Sequence, residues 1–213
     1  MEKKGINDVR RTENRSKMIM QSNTNLMPDQ NNKSEIIDII KYHIENKMIM
    51  NIVREKIDKN EKMLGFPLNI SKELLLISRI IDFRDDGYEI IRLRDISDAY
   101  SKESQAFYEE ICIKENLRNK AIQENPVKDI TNFISVATQL SNYDKFISIQ
   151  CEFEDSGLYH SIGKISDIKG HLIYFHHFDL QGIWENEKMV IPIDKITLIG
   201  VNSYYANTFY KYM

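Results

Sequence analysis

Apolar residues recur at helical spacing over "SEIIDIIKYHIEN", Ser34 to Asn46, where Ile36, Ile37, Ile40 and Ile44 form one stripe. Ser34 is a suitable N-cap, acidic residues occupy the first turn, and His43 falls at the surface beside the stripe. Beyond Asn46 the period changes. "KMIMNIVREKI" alternates loosely and reads as a strand, with a continued helix as the alternative. "MLGFPLNI", "ELLLISRIIDF" and "YEIIRLRDIS" are further strands, and "RDDGY" supplies turn residues between the last two. "SKESQAFYEEICIKENLRNKAIQ" then reads as helix.

The second half follows the same order. "NPVKDITNFISVATQLSN" predicts a helix opened near Asn125, with Pro126 at its first position. "DKFISIQCEFED" alternates strictly and predicts a strand, "SGL" a turn, and "YHSIGKISDI" and "HLIYFHHFDL" two more strands. "MVIPIDKITLIGV" predicts one strand or two short ones, with Pro192 pointing to an edge or a bulge. The tyrosine-dense "SYYANTFYKYM" predicts a closing helix.

Laid over each other, the halves match without a gap at "IIRLRDIS", Ile90 to Ser97, and "VIPIDKIT", Val190 to Thr197. Upstream, Gly65 falls on Gly163, Leu74 and Leu75 on Leu172 and Ile173, and Asp82 on Asp179. The expected organisation has residues 1–33 as a flexible arm and 34–123 as a first helix-plus-strands unit with a trailing helix. Residues 124–213 form the second unit. Five bent antiparallel strands can close into a small barrel, and a glycine within a strand suits the bend. In this pattern each unit resembles the Sm-like and SH3-like small β-barrels. The resemblance implies an α+β, mainly β fold of two repeated units, each an N-terminal helix followed by a bent five-stranded antiparallel barrel. The signature by which RNA-binding Sm proteins hold uridine has no counterpart here.

Charge narrows the partners. Hydrophobic residues make up 42% and charged residues 29% of the 213, and the net charge is -3. That is globular composition without a global positive field to recruit nucleic acid. Residues 1–33 hold seven basic and four acidic side chains, a net of +3, while 34–123 and 124–213 carry -2 and -4. No apolar run is long enough to span a bilayer, and the first residues have no signal-peptide core. A cytoplasmic protein without membrane contact is expected, with Cys112 and Cys151 as reduced thiols.

Candidate chemistry is sparse. The chain has no GxGxxG, P-loop, GxSxG or HExxH. Three of the five histidines, His171, His176 and His177, crowd one stretch that ends at the only tryptophan, Trp184. On a strand His176 and His177 point to opposite faces, so they do not share a metal ion. In the overlay they fall on Ser78 and Arg79, and His171 on Glu73, which marks them as polar strand-end positions. Asp82 and Asp179 read as turn residues that cap backbone. No catalytic residue, metal or cofactor is expected. The expected function is a non-enzymatic binding or adaptor module acting on a protein partner or on itself, with Trp184, Tyr204 and Tyr205 as contacts. The alternative is RNA or nucleotide binding by the same barrels, with Arg92 and Arg94, from a basic patch that also holds Arg79 and Arg84, and the basic arm of residues 1–33 as contacts.

Overall fold

The computed structural model describes residues 30–153 and 160–213. Most of the expected arm, and the expected turn at Ser156–Leu158, lie outside the described residues. The first helix, α1 (Gln30–Asn46), begins ahead of Ser34, so Ser34 lies inside the helix and does not cap it. Ile36 and Ile40 are buried along the expected stripe. His43 is buried as well, contrary to expectation. Its two ring nitrogens lie 2.8 Å from the Ile39 carbonyl and 3.2 Å from Ser101 Oγ.

Four strands follow: β1 (Met50–Arg54), β2 (Asp58–Ile70), β3 (Leu74–Ile81) and β4 (Arg84–Arg92). The expected turn at "RDDGY" lies inside β4. The chain reverses one step earlier, at Asp82 and Phe83, both with positive φ (49° and 59°). A two-residue reversal with both φ positive matches the right-handed strand twist. Phe83 is an unusual residue for that conformation. Its ring stacks on Tyr108 at 4.1 Å, and its amide donates to the Tyr108 hydroxyl at 3.0 Å. Gly87 (φ 78°) serves a bulge instead: the register passes from Ser78↔Tyr88 to Ile80↔Asp85, with one residue of β3 facing two of β4.

A 3-10 turn (Leu93–Asp95) leads to the short β5 (Asp98–Tyr100), which the sequence reading missed. Two helices, α2 (Ala106–Lys114) and α3 (Leu117–Gln123), replace the single expected one. Asn116 breaks them apart in a left-handed conformation (φ 58°). The next helix, α4 (Phe133–Leu140), starts well after Pro126. Its cap is Asn132, whose side chain accepts from the Ser135 amide at 3.0 Å. The remaining strands are β6 (Ile147–Gln150), β7 (His160–Lys169), β8 (Leu172–His177), β9 (Met189–Pro192) and β10 (Leu198–Val201). A 3-10 turn (Ile193–Lys195) joins the last two, and α5 (Tyr204–Tyr212) follows.

The ten strands form one antiparallel sheet in the order β5-β1-β2-β3-β4-β10-β6-β7-β8-β9. Two repeated helix-plus-barrel units, each closed on itself, are not what forms. The free edge of β4 is taken by β10, through Tyr88–Ile91 against Leu198–Val201, and β10 also pairs with β6. The sheet therefore runs open across the whole unit, with β5 and β9 at its edges. Both edges are blunted against pairing with other chains. β9 carries Pro192, and in β5 the Ala99 amide donates to the Asp98 side chain at 2.8 Å.

Alternation along the strands divides the core. Leu74 and Leu76 of β3, with Tyr88 and Ile90 of β4, face one cluster, which α4 covers with Phe133, Val136, Ala137 and Leu140. That cluster continues across the seam into Ile147, Ile149, Ile173, Phe175, Ile191 and Ile199. Leu75, Ile77 and Ile91 point the other way, toward Ile36 and Ile40 of α1. Such two-sided burial explains why "LLLIS" reads as a continuous apolar run. The Tyr88 hydroxyl, deep in this layer, donates to the Ala121 carbonyl at 3.1 Å. Burial, with help from Asp85, pushes its phenol well above the ordinary range.

Candidate functional site

The residues named from sequence separate into two places. Arg92 and Arg94 stand at the seam. Arg92, at the end of β4, is 9% exposed. Its Nε donates to the Ile196 carbonyl and its Nη2 to the Ile193 carbonyl, both at 2.6 Å, and its guanidinium lies 4.7 Å from the centre of the Phe133 ring. The planar fork thus holds the 3-10 turn of the second half against the first. Arg94 is exposed and reaches the Asp194 carbonyl at 3.4 Å. Arg79, also drawn into the expected basic patch, is buried and paired with Glu89 at 3.1 Å. A guanidinium buried and committed to carbonyls is a poor phosphate contact. Replacing Arg92 with Met should therefore cost about 2 kcal/mol, because the two accepting carbonyls lose charged donors. A urea denaturation midpoint unchanged from wild type would contradict this role.

Trp184, Tyr204 and Tyr205 belong to the far end of the second half. Asp179 builds the turn there, accepting from the Gln181 and Ile183 amides at 2.9 Å each. Phe178 bridges to Trp184 at the end of this turn. The indole meets Phe146 edge-on at 5.5 Å and Phe178 at 5.3 Å, and it lies against the His176 ring at 4.6 Å. His176 Nε2 is in turn 2.9 Å from the Glu185 carbonyl. α5 packs onto the same cluster. Its cap is Ser203, whose hydroxyl accepts from the Ala206 amide, and the Tyr204 amide donates to Asp86 at 2.9 Å. Buried Ala206 and half-buried Phe209 of this helix join Phe146, Ile162 and Phe178 in a small core.

Outside that core lies a cleft of about 510 Å³, lined by Phe146, Lys164, Ile165, Ser166, His176, Trp184, Tyr210 and Met213. Lys164 comes from β7, and its Nζ sits 5.7 Å from the centre of the Phe146 ring and 5.9 Å from that of Tyr210. The same turn and helix expose further apolar side chains: Leu180 is 84% and Ile183 60% exposed on the turn, and Tyr205 is 48% exposed on α5. Tyr204 is also exposed, at the first turn of the helix.

Trp184 and the tyrosines of α5 are therefore drawn toward one end of the sheet, apart from the arginines at the seam. Sequence reasoning passed over Lys164 and Phe146 as site residues. Their strand alternation was visible, but a lone lysine in a strand carries no spacing signal. Of the histidines, His176 touches Trp184 and His177 is half-buried, while His171 is exposed at the head of β8, where its carbonyl accepts from the Ile193 amide. Among the described residues no group of three His, Cys, Asp or Glu side chains is placed to hold a metal ion. Cys112 and Cys151 are buried and form no disulfide. No described helix is long and apolar enough to cross a membrane. No protein-family model, no curated protein and no solved structure matches this chain.

Proposed function

We propose that this protein is a non-enzymatic binding module, and that it engages a protein partner through the aromatic end of its sheet. One observation carries the reading. The turn at Asp179–Trp184 and the helix α5 leave Leu180, Ile183, Trp184, Tyr205 and Tyr210 exposed, and Trp184 and Tyr210 of these line one cleft. Exposed apolar side chains gathered in one place, with ordered rings beneath them, are the surface that a protein partner buries. Aromatic rings are also enriched in the cores of such interfaces. The rings here are held in place by the Phe146–Phe178 core, so little side-chain freedom is lost on docking.

Affinity capture from the source cells, comparing wild type with the double variant Trp184→Ala/Tyr210→Ala, tests this reading. Proteins retained by wild type and by Arg94→Ala should be lost from the double variant, whose fold is checked by circular dichroism. Light scattering over a concentration series covers the case in which the partner is a second copy. A captured set that is the same for all three proteins, together with a monomer at every concentration, overturns the reading.

A further inference from the structure

We propose that the aromatic cleft takes an acidic, aromatic-bearing peptide segment, in which a carboxylate meets Lys164 and a neighbouring ring stacks against Trp184 or Tyr210. This deepens the docking reading above and rests on it. The cleft is lined by eight residues, of which only Lys164 and His176 carry a basic side chain and none carries an acidic side chain. His176 is committed to the Glu185 carbonyl and to the face of Trp184, so it forms a wall. Glu185 turns that main-chain carbonyl toward His176, and its side chain is not part of the lining.

Lys164 lies over two rings, whereas Lys102, Lys169 and Lys211 each lie over one. Lys169 also lies over a tyrosine, Tyr174, but it pairs with Asp167 at 3.3 Å. Among the described residues no carboxylate pairs with Lys164. Its ammonium lies 5.7 and 5.9 Å from the centres of two rings that meet each other edge-on, and such rings attract a cation without neutralising it. A carboxylate arriving from a partner completes that charge in a half-buried place, where an ion pair is screened less than at an open surface. The second half of the chain is acidic overall, but at physiological salt charges beyond about 8 Å are largely screened, so the group inside the cleft decides.

The surroundings call for an extended ligand. The turn that carries exposed Leu180 and Ile183 packs at Gly182 beside Met213, a residue of the cleft. A ligand that covers both needs apolar side chains on either side of its acidic residue.

The chain's only tryptophan provides the readout, because Trp184 stands in the cleft. Blocked synthetic octapeptides alternating Glu with Phe, Lys with Phe, and Glu with Ser are titrated while indole emission is followed. The Glu/Phe peptide should shift emission saturably, and the other two should bind at least about tenfold more weakly. Lys164→Glu should reverse the order of the two Phe-containing peptides. Lys164→Gln should level it and Lys164→Arg preserve it, with circular dichroism confirming the fold of each. Equal affinity for the Glu/Phe and Lys/Phe peptides, an order unchanged in Lys164→Glu and Lys164→Gln, or no saturable binding of the Glu/Phe peptide overturns the proposal. If it fails while Trp184→Ala/Tyr210→Ala still loses the captured partner, the docking reading stands without it. If that variant also keeps the partner, both fall.

Discussion

Replacing Glu152 with alanine is expected to lower folding stability by about 3–5 kcal/mol, among the largest losses that a single side chain can cause in this fold. Its carboxylate accepts both terminal nitrogens of Arg54, at 2.6 and 2.9 Å, and the two side chains are each 3% exposed. Alanine leaves a guanidinium buried without that counter-charge. The cost lies in the buried guanidinium that loses this counter-charge, since the pair itself gains little over apolar groups of similar size. The double variant Arg54→Met/Glu152→Leu should therefore recover most of the stability lost in either single change. Urea denaturation of the four proteins closes the cycle. Additive losses in the double variant would show that the two side chains act independently. The surroundings are dense in charge. Asp95 lies nearby, and burial raises its carboxyl above the ordinary range against the pull of Arg94, Arg92 and Arg54.

A loss of at least about 3 kcal/mol is also expected for Gly65→Val, and the same for Gly163→Val. A side chain at Gly65 would run into the Ser78 carbonyl of β3, and one at Gly163 into the His176 carbonyl of β8. Both obstacles are backbone of a paired strand, so relief requires moving the ladder itself. Neither glycine has positive φ, which places the demand in close approach and not in a left-handed turn. A denaturation midpoint within the equivalent of 1 kcal/mol of wild type would show that β2 or β7 shifts more freely than its packing suggests.

The same two glycines were visible in the sequence as interruptions in strand patterns, but there they suggested the bend of a closed barrel, and their role in close strand approach emerged only from the paired backbone. The long strands were legible for the same reason, since one alternating pattern sends Leu74 and Leu76 to one face and Leu75 and Ile77 to the other. The joining of the two half-sheets was not legible. Alternation tells which face a strand buries but not which strand lies beside it, and the partner of β4 is more than 100 positions away. β5 has three residues, too few for any period to register. Pro126 suggested a helix start because its fixed φ suits one, but extended chain accepts the same φ, and Asn132 supplies the cap. Arg92 looked like a surface cation because sequence gives the charge and not the depth. For the site, Trp184 and Tyr205 were legible as rare, clustered aromatics. Lys164 became meaningful only once β7 and α5 were seen to bring it between Phe146 and Tyr210.

The seam also sets an order of events. Pairings such as β2 with β3, or β7 with β8, join neighbours in the chain, whereas the Arg92 fork spans 104 and 101 residues to its two carbonyls and the Arg54–Glu152 pair spans 98. Contacts so distant along the chain are the slow ones to form, because each waits for a long loop to close. Each half-sheet is therefore expected to assemble from its hairpins first, with the pairing of β4 with β10, which turns two partial ladders into one, among the last contacts to form.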